Sequence, residues 1–379
     1  MKNKPTVILF DANPIVNGNK SGIGYYGYRL LDALAENYPN DVIIRAHYFN
    51  FLGRKQNLDL PKHTNIVYVQ SRIIPGKVLN LARKIGFQFP LELFFKSRGD
   101  VALFTNYVSL PSITKVSTMV AIHDLCYEDI PDYVSYKNRL FLQKFVPKSV
   151  RSAKKIITIS ESTKRAIIKH YKVSASNIII TPIPPSSDEK IRPTRPSLVG
   201  KKKFILFVGT IEPRKNVGQL VTAYTQLPDE IKNTYSLVLA GGIGWDVDET
   251  INSIKSLQER GENIIITNYV TDGEKKWLYQ NADLFVLPSH YEGFGMPILE
   301  AMTHNIPTIV SDIPVFHEVS GPASLYFNKD DPASISKTIV DVLGSKSVQK
   351  NLISLGNSRV ATYNWKDVAA TVYDASLEL

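Results

Sequence analysis

The sequence predicts an α/β protein built as two Rossmann-like domains facing each other across a cleft. Three observations predict it. Apolar runs of strand length alternate with helical patterns along the chain, which implies parallel sheets flanked by helices. Five prolines between Pro182 and Pro196 interrupt the alternation, because proline continues neither a sheet nor a helix. The chain has 379 residues, more than one ordinary core holds.

In order, Thr6–Asp11, Val42–Phe49, Asn65–Val69, Val101–Thr105, Ser117–Ile122, Lys155–Ser160 and Asn177–Thr181 read as strands. Helical periodicity falls between them, as in Tyr25–Glu36 and Glu161–Tyr171. The proline-rich stretch from Pro182 to Ser197 reads as the interdomain linker. A second series starts at Phe204–Gly209 and continues through Tyr235–Ala240, Asn263–Thr267, Leu284–Pro288 and Thr308–Ser311. The expected domains are residues 1–190 and 191–364, with a C-terminal helix, 365–379, packing back toward the first domain. Trp365 reads as a packing anchor of that helix.

Composition bounds the class. Hydrophobic content of 44% and charged content of 21% are those of a soluble globular protein. No apolar run reaches the roughly 18–20 residues that span a bilayer. The start, Met1-Lys2-Asn3-Lys4-Pro5, lacks the apolar core of a signal peptide. The single cysteine, Cys126, allows no intrachain disulfide, so a cytoplasmic address is expected. Cys126 itself reads as a buried, inert thiol.

Charge is uneven. Residues 1–190 carry 27 Lys+Arg against 14 Asp+Glu, a net +13, whereas the rest carries 18 against 21, a net −3. A basic first half fits an anionic partner. No nucleic-acid motif accompanies it, so no nucleic-acid partner is expected. The stretch Gly76–Phe87, with Lys77, Arg83 and Lys84, and the cluster from Lys137 through Lys148, Arg151, Lys154 and Lys155 suit an anionic membrane surface.

The most informative run is Glu292-Gly293-Phe294-Gly295-Met296-Pro297-Ile298-Leu299-Glu300. It follows a strand. Gly293 and Gly295 suit a loop that bends sharply or approaches a ligand. Pro297 suits the first helical position. Glu292 is therefore expected in a loop at a strand's carboxyl end, and Glu300 in the first turn of the next helix. Ligands of open α/β sheets bind in that crevice, and a helix start offers N–H groups to phosphate. Arg214 and Lys215 follow a strand and Gly209 in a second such loop, where cations can meet a phosphate.

Five segments carry a resemblance: Ser21–Tyr25, Ile122–Leu125, Gly209–Asn216, Glu292–Glu300 and Ser311–Glu318. In this order they resemble the retaining glycosyltransferases of family 4, which have the GT-B architecture, and most resemble mannosyltransferases of bacterial surface-polysaccharide assembly. The resemblance implies transfer of a hexose, first mannose from GDP-mannose, to a saccharide acceptor expected to be lipid-linked. Alternatives are a UDP-hexose or dTDP-rhamnose donor, or an inactive sugar-nucleotide-binding module. It places Glu300 on the ribose hydroxyls and Glu292 on the transferred sugar, with Arg214 and Lys215 on the leaving β-phosphate. It implies donor contacts at Gly22, Gly24, Gly209, Thr210, Tyr269, Val270, Gly293, Phe294, Gly295, Met296, Pro297, Ile298 and Leu299. His123 is expected to donate a hydrogen bond to donor sugar or acceptor, with Asp124 orienting it. The nucleotide sugar is a co-substrate; no metal and no other cofactor is expected. The cytoplasmic face of a membrane is the expected location.

Two signals mislead. Gly22, Gly24 and Gly27 match G-x-G-x-x-G, yet residues 12–21 separate them from the first strand, against a nicotinamide fingerprint. They read instead as a loop that lets an acceptor or phosphate approach. Asp246 and Asp248 form a D-x-D string that reads as a helix N-cap rather than a metal site.

Overall fold

A computed structural model of the chain describes residues 4–16, 22–51, 53, 58–72, 78, 87–95, 98–185 and 191–379. Ser21, the basic residues Lys77, Arg83 and Lys84, and residues 186–190 lie outside them. Two units divide the chain: Met1–Asp129, Tyr136–Ile183 and Asn364–Leu379 form the first, and Ile130–Ser135 with Pro184–Tyr363 form the second.

In the first unit the strands are β1 (Thr6–Asp11), β2 (Val42–Phe49), β3 (Ile66–Ser71), β4 (Val101–Phe104), β5 (Ser117–Ile122), β6 (Lys155–Thr158) and β7 (Ile178–Ile180). Their order is β3-β2-β1-β4-β5-β6-β7, and every pairing is parallel. All of β4 is buried, as is Thr118–Ile122 of β5. Strands covered on both faces bury successive side chains, which is why they read as unbroken apolar runs.

The helix Gly22–Asn37 buries Tyr26, Leu30, Leu31 and Leu34 along one stripe. The C-terminal helix Trp365–Leu377 lies beside it: Trp365 meets Tyr25 and Tyr26 at 6.3 and 6.1 Å between ring centres, and Tyr373 stacks on Tyr38 at 4.0 Å. Asn364 caps this helix by accepting the Asp367 N–H.

The second unit holds β8 (Lys203–Val208), β9 (Tyr235–Ala240), β10 (Ile264–Asn268), β11 (Leu284–Leu287), β12 (Thr308–Ser311) and β13 (Ser324–Phe327). The order is β10-β9-β8-β11-β12-β13, again all parallel. From β8 the chain winds outward to β9 and β10, then from β11 the other way to β12 and β13. Neighbours β8 and β11 therefore flank the point where the winding reverses, and their carboxyl ends open a crevice there.

Several expectations are corrected. Gly22 and Gly24 do not form a loop; they lie in the first turn of the helix Gly22–Asn37. The same helix carries Gly27, where an added Cβ would stand 3.0 Å from Ile15 and 3.1 Å from Thr105 Oγ1, so this glycine serves close packing. Asp246 does not cap a helix. Val247 holds the cap position of Asp248–Glu259 without a side-chain bond, and Asp246 sits at φ 52°. The later part of the expected linker packs on the second unit: Thr194 N–H donates to Gly273 O, Lys276 Nζ to Ile191 O, and Arg195 lies 5.4 Å over the Trp277 ring. Strand β13 has no counterpart in the sequence reading; Leu325 and Tyr326 at its centre are only half-buried, whereas β11 and β12, of equal length, are buried throughout and read as apolar runs. Cys126 is half-buried and opens the short helix Cys126–Asp129.

Candidate active site

The crevice is built on backbone. Strand β8 is followed by Gly209 at φ +152°, and β9 by Gly241 at φ +154°. A Cβ on Gly241 would come within 2.0 Å of Gly209 O, so the two loops meet main chain to main chain. Thr210 follows Gly209, and the 3-10 turn Pro213–Lys215 presents the two cations. Asn216, in the left-handed region at φ 56°, ends that turn and starts the next helix, Val217–Thr225. Its side-chain amide donates to Lys329 O at 2.8 Å.

Across the crevice, β11 releases the loop that carries Glu292. Arg214 Nη1 lies 2.7 Å from Glu292 Oε2, and Lys215 Nζ lies 2.5 Å from Oε1. Ser289 Oγ donates to Oε1 at 2.8 Å. Arg214 also donates to Tyr291 O at 3.0 Å and to Glu212 Oε1 at 2.7 Å. The main chain joins the same loops, with His290 N–H donating to Arg214 O at 2.9 Å. Burial opposes the Glu292 charge, but the Arg214 and Lys215 cations and the bonds from Lys215 and Ser289 outweigh it and hold the carboxyl at about 2. Glu292 is thus an obligate anion at neutral pH. Both cations face Glu292, a pairing the sequence reading did not make, and Glu212 brings the quartet to formal neutrality.

Gly293 and Phe294 lead to Gly295 at φ +99°, where a Cβ would stand 2.7 Å from the Phe316 ring. Gly295 caps the helix Met296–Thr303, so Pro297 is its second residue, not its first. Glu300 accordingly lies past the first turn, beyond Ile298 and Leu299. It is 7% exposed; Lys275 Nζ donates to its Oε1 at 2.9 Å and Tyr279 OH to its Oε2 at 2.8 Å. Burial, then the Glu300 charge, push the Tyr279 phenol well up, so it stays a donor. Each Glu300 oxygen keeps acceptor capacity beyond these bonds. At the end of β10, Tyr269 is 65% exposed and Val270 follows it, before Thr271 caps the helix Asp272–Asn281 with Glu274.

In the first unit His123 follows β5 and is 5% exposed. Its Nε2 lies 2.8 Å from Thr105 O. A carbonyl only accepts, so Nε2 carries the proton and Nδ1 is the acceptor. Burial lowers its pKa against smaller opposing effects from Thr105 and Asp124, keeping the ring neutral. Two expectations change. With Nε2 committed to Thr105 O, Nδ1 is the ring nitrogen that can accept, where the sequence reading had His123 as a donor. Thr105, not Asp124, orients the ring; Asp124 accepts the Cys126 N–H at 3.2 Å. Tyr26 and Tyr107 wall the imidazole edge-on at 5.2 and 5.6 Å.

Residues 188–359 match the family described as glycosyl transferases group 1. O-antigen chain mannosyltransferase B of Escherichia coli is 32% identical over 267 residues, covering 68% of this chain and 69% of that protein. The chain belongs to the glycosyl transferases group 1 family. O-antigen chain mannosyltransferase RfbU of Salmonella typhimurium is 28% identical over 361 residues, 93% of this chain and 95% of that one. Sucrose-phosphate synthase from Thermosynechococcus elongatus superposes with a TM-score of 0.70 at 17% identity, covering 99% of this chain and 98% of that chain. The two parallel-sheet Rossmann-like units are those of the GT-B fold.

This group 1 glycosyltransferase surrounds its glutamates with side chains the sequence reading missed. Ser289 stands three residues before Glu292, a spacing common to any short turn. Glu212 hid as an ordinary loop acid. Lys275 and Tyr279, at i and i+4, share one helix face, but no local signal ties that face to Glu300. Among the described residues no group of three or more His, Cys, Asp or Glu side chains could hold a metal ion.

Proposed function

We propose that the chain is a retaining, GT4-like hexosyltransferase that moves mannose from GDP-mannose to a lipid-linked saccharide during surface-polysaccharide synthesis. The observation that carries the reading is Glu292, held ionised by Arg214 and Lys215 at the reversal point of the second sheet. The names of the relatives, O-antigen mannosyltransferases, support the sugar and the pathway class.

The bond from the anomeric carbon to the β-phosphate oxygen breaks. The acceptor hydroxyl oxygen bonds to that carbon on the same face, and its proton passes to the leaving phosphate oxygen. The products are a glycoside of unchanged anomeric configuration and a nucleoside diphosphate. Arg214 and Lys215 neutralise the leaving phosphate, so the step needs no metal. Glu292 binds hydroxyls of the sugar and stabilises the positive charge that develops on it. Glu300, steadied by Lys275 and Tyr279, takes the ribose hydroxyls. Gly209, Thr210, Tyr269, Val270 and the backbone of Gly293–Leu299 line the donor, and Nδ1 of His123 accepts a hydrogen bond from a hydroxyl of the bound sugar. The protein works at the cytoplasmic face of a membrane, where the basic first half meets anionic headgroups. No helix among the described residues is long and apolar enough to cross one.

The test is nucleotide release from GDP-mannose, UDP-glucose, UDP-N-acetylglucosamine and dTDP-rhamnose, with and without a lipid-linked saccharide. Acceptor-dependent release from GDP-mannose, with the product's anomeric configuration retained by NMR, is expected. Inversion rejects the retaining route. Turnover with another donor alone replaces mannose, and donor binding without turnover under every pairing removes the enzyme reading.

A further inference from the structure

Residues Ile130–Ser135 group with the second unit, although the residues on either side of them group with the first. The segment folds as a 3-10 turn, Pro131–Tyr133, closed by Val134 N–H on Pro131 O. Its Tyr133 ring lies 4.9 Å from the ring of His290, inclined at 54°.

His290 occupies a particular place. It stands two residues before Glu292 and donates its backbone N–H to Arg214 O at 2.9 Å. Its Nδ1 is 3.6 Å from Asp330 Oδ1. Lys329 Nζ lies 2.7 Å from Asp330 Oδ2, and Lys329 O accepts from Asn216 at 2.8 Å. Asn216 ends the turn that presents Arg214 and Lys215. The loops after β8, β11 and β13 thus close into a ring of contacts around the catalytic cations. Tyr133 meets this ring at His290 from a segment distant in sequence.

We propose that Tyr133 is a positioning residue for the Arg214–Glu292 pair, acting through the His290 ring. The proposal rests on the reading that these two residues handle the leaving phosphate and the transferred sugar. Removing the aromatic contact frees the His290 side chain and loosens the loop that aims Glu292. Geometry at the reacting centre then suffers more than donor binding, which the Glu300 and Tyr269 side of the site retains.

The experiment compares wild type, Tyr133→Ala and Tyr133→Phe in the full chain. Tyr133→Ala is expected to lower kcat about tenfold, the scale of one aromatic contact, with donor KM changed by less than about twofold. Tyr133→Phe, which keeps the ring, restores kcat. A second readout does not involve turnover. In 13C-histidine-labelled protein, with the His290 signal assigned through His290→Gln, Tyr133→Ala shifts the His290 ring resonance and Tyr133→Phe leaves it near wild type. If the alanine variant does not fold, Tyr133→Leu takes its place with the same expectations.

Wild-type turnover retained in Tyr133→Ala overturns this inference and leaves the transferase reading standing. Equal losses in the alanine and phenylalanine variants also overturn it. A wild type that transfers no sugar sinks the transferase reading instead; the His290 resonance then decides the contact, and its failure to move in Tyr133→Ala overturns it.

Discussion

Replacing Glu292 by glutamine copies the shape of the protonated acid and removes only its charge. The worth of that charge can be worked out. The carboxyl moves from 4.5 to about 2, with burial opposed and outweighed by Arg214 and Lys215. A displacement of that size corresponds to about 3 kcal/mol at neutral pH. The side chain is 8% exposed, so solvent screening removes little of it. The folded state binds this proton more weakly than the unfolded state does. The stabilisation is therefore complete above the unfolded value and is lost as pH falls from 4.5 toward about 2. Glu292→Gln should be less stable than wild type by about 3 kcal/mol at pH 7, and by about 1.4 kcal/mol at pH 3. Urea unfolding of the full chain, followed by tryptophan fluorescence, measures both gaps; Trp245 and Trp277 report from the second unit. Transfer should fall by at least about a hundredfold, the usual cost of losing a preorganised charge at a transition state. An equal stability gap at both pH values, or near-normal transfer, refutes the reasoning.

Lys215→Ala removes the cation beside Glu292 Oε1 and should also cost at least about a hundredfold in kcat, measured with saturating donor. Tyr279→Phe withdraws the bond to Glu300 Oε2; donor KM should rise about fivefold with kcat unchanged in steady-state kinetics. Burial lowers the pKa of His47 to about 4 and also lowers those of His123, His290 and His304, so the unfolded chain binds more protons below the ordinary histidine value of 6.5. Stability should fall as pH drops from 7 to 5, with a steeper loss than in His47→Gln, measured by thermal unfolding. Gly295→Ala forces a side chain at φ +99° into the Phe316 ring and should lower unfolding free energy by about 2 kcal/mol in urea titration.

Much of the fold was legible because parallel strands buried on both faces, such as Val101–Phe104 and Leu284–Leu287, leave unbroken apolar runs. Strand ends were read up to two residues away from where pairing stops, as at Lys155–Ser160 against the observed Lys155–Thr158. The glycines at 22 and 24 misled because composition speaks for a loop, while the buried stripe from Tyr26 to Leu34 commits the segment to a helix. In the site, the residue types and loops of Glu292, Arg214 and Lys215 could be read from sequence, but their mutual pairing could not. That pairing joins residues 77 and 78 positions apart, and only the adjacency of β8 and β11 brings them together. The His123 tautomer was equally hidden, since it is set by a backbone carbonyl that any residue at 105 would supply.

The meeting of Gly209 and Gly241 has a consequence for how this site can change. Every side chain larger than hydrogen at 241 collides with the neighbouring loop's carbonyl, so that end of the crevice is closed to substitution. Tyr269, by contrast, stands mostly in solvent at the end of β10. Variation is thus confined to one flank. A designer, or natural drift, can alter the surface around Tyr269 and Val270 while the charge-bearing loops keep their shape. For the transferase proposed above, new nucleotide preferences are accordingly to be sought at the rim of the second sheet rather than at its centre.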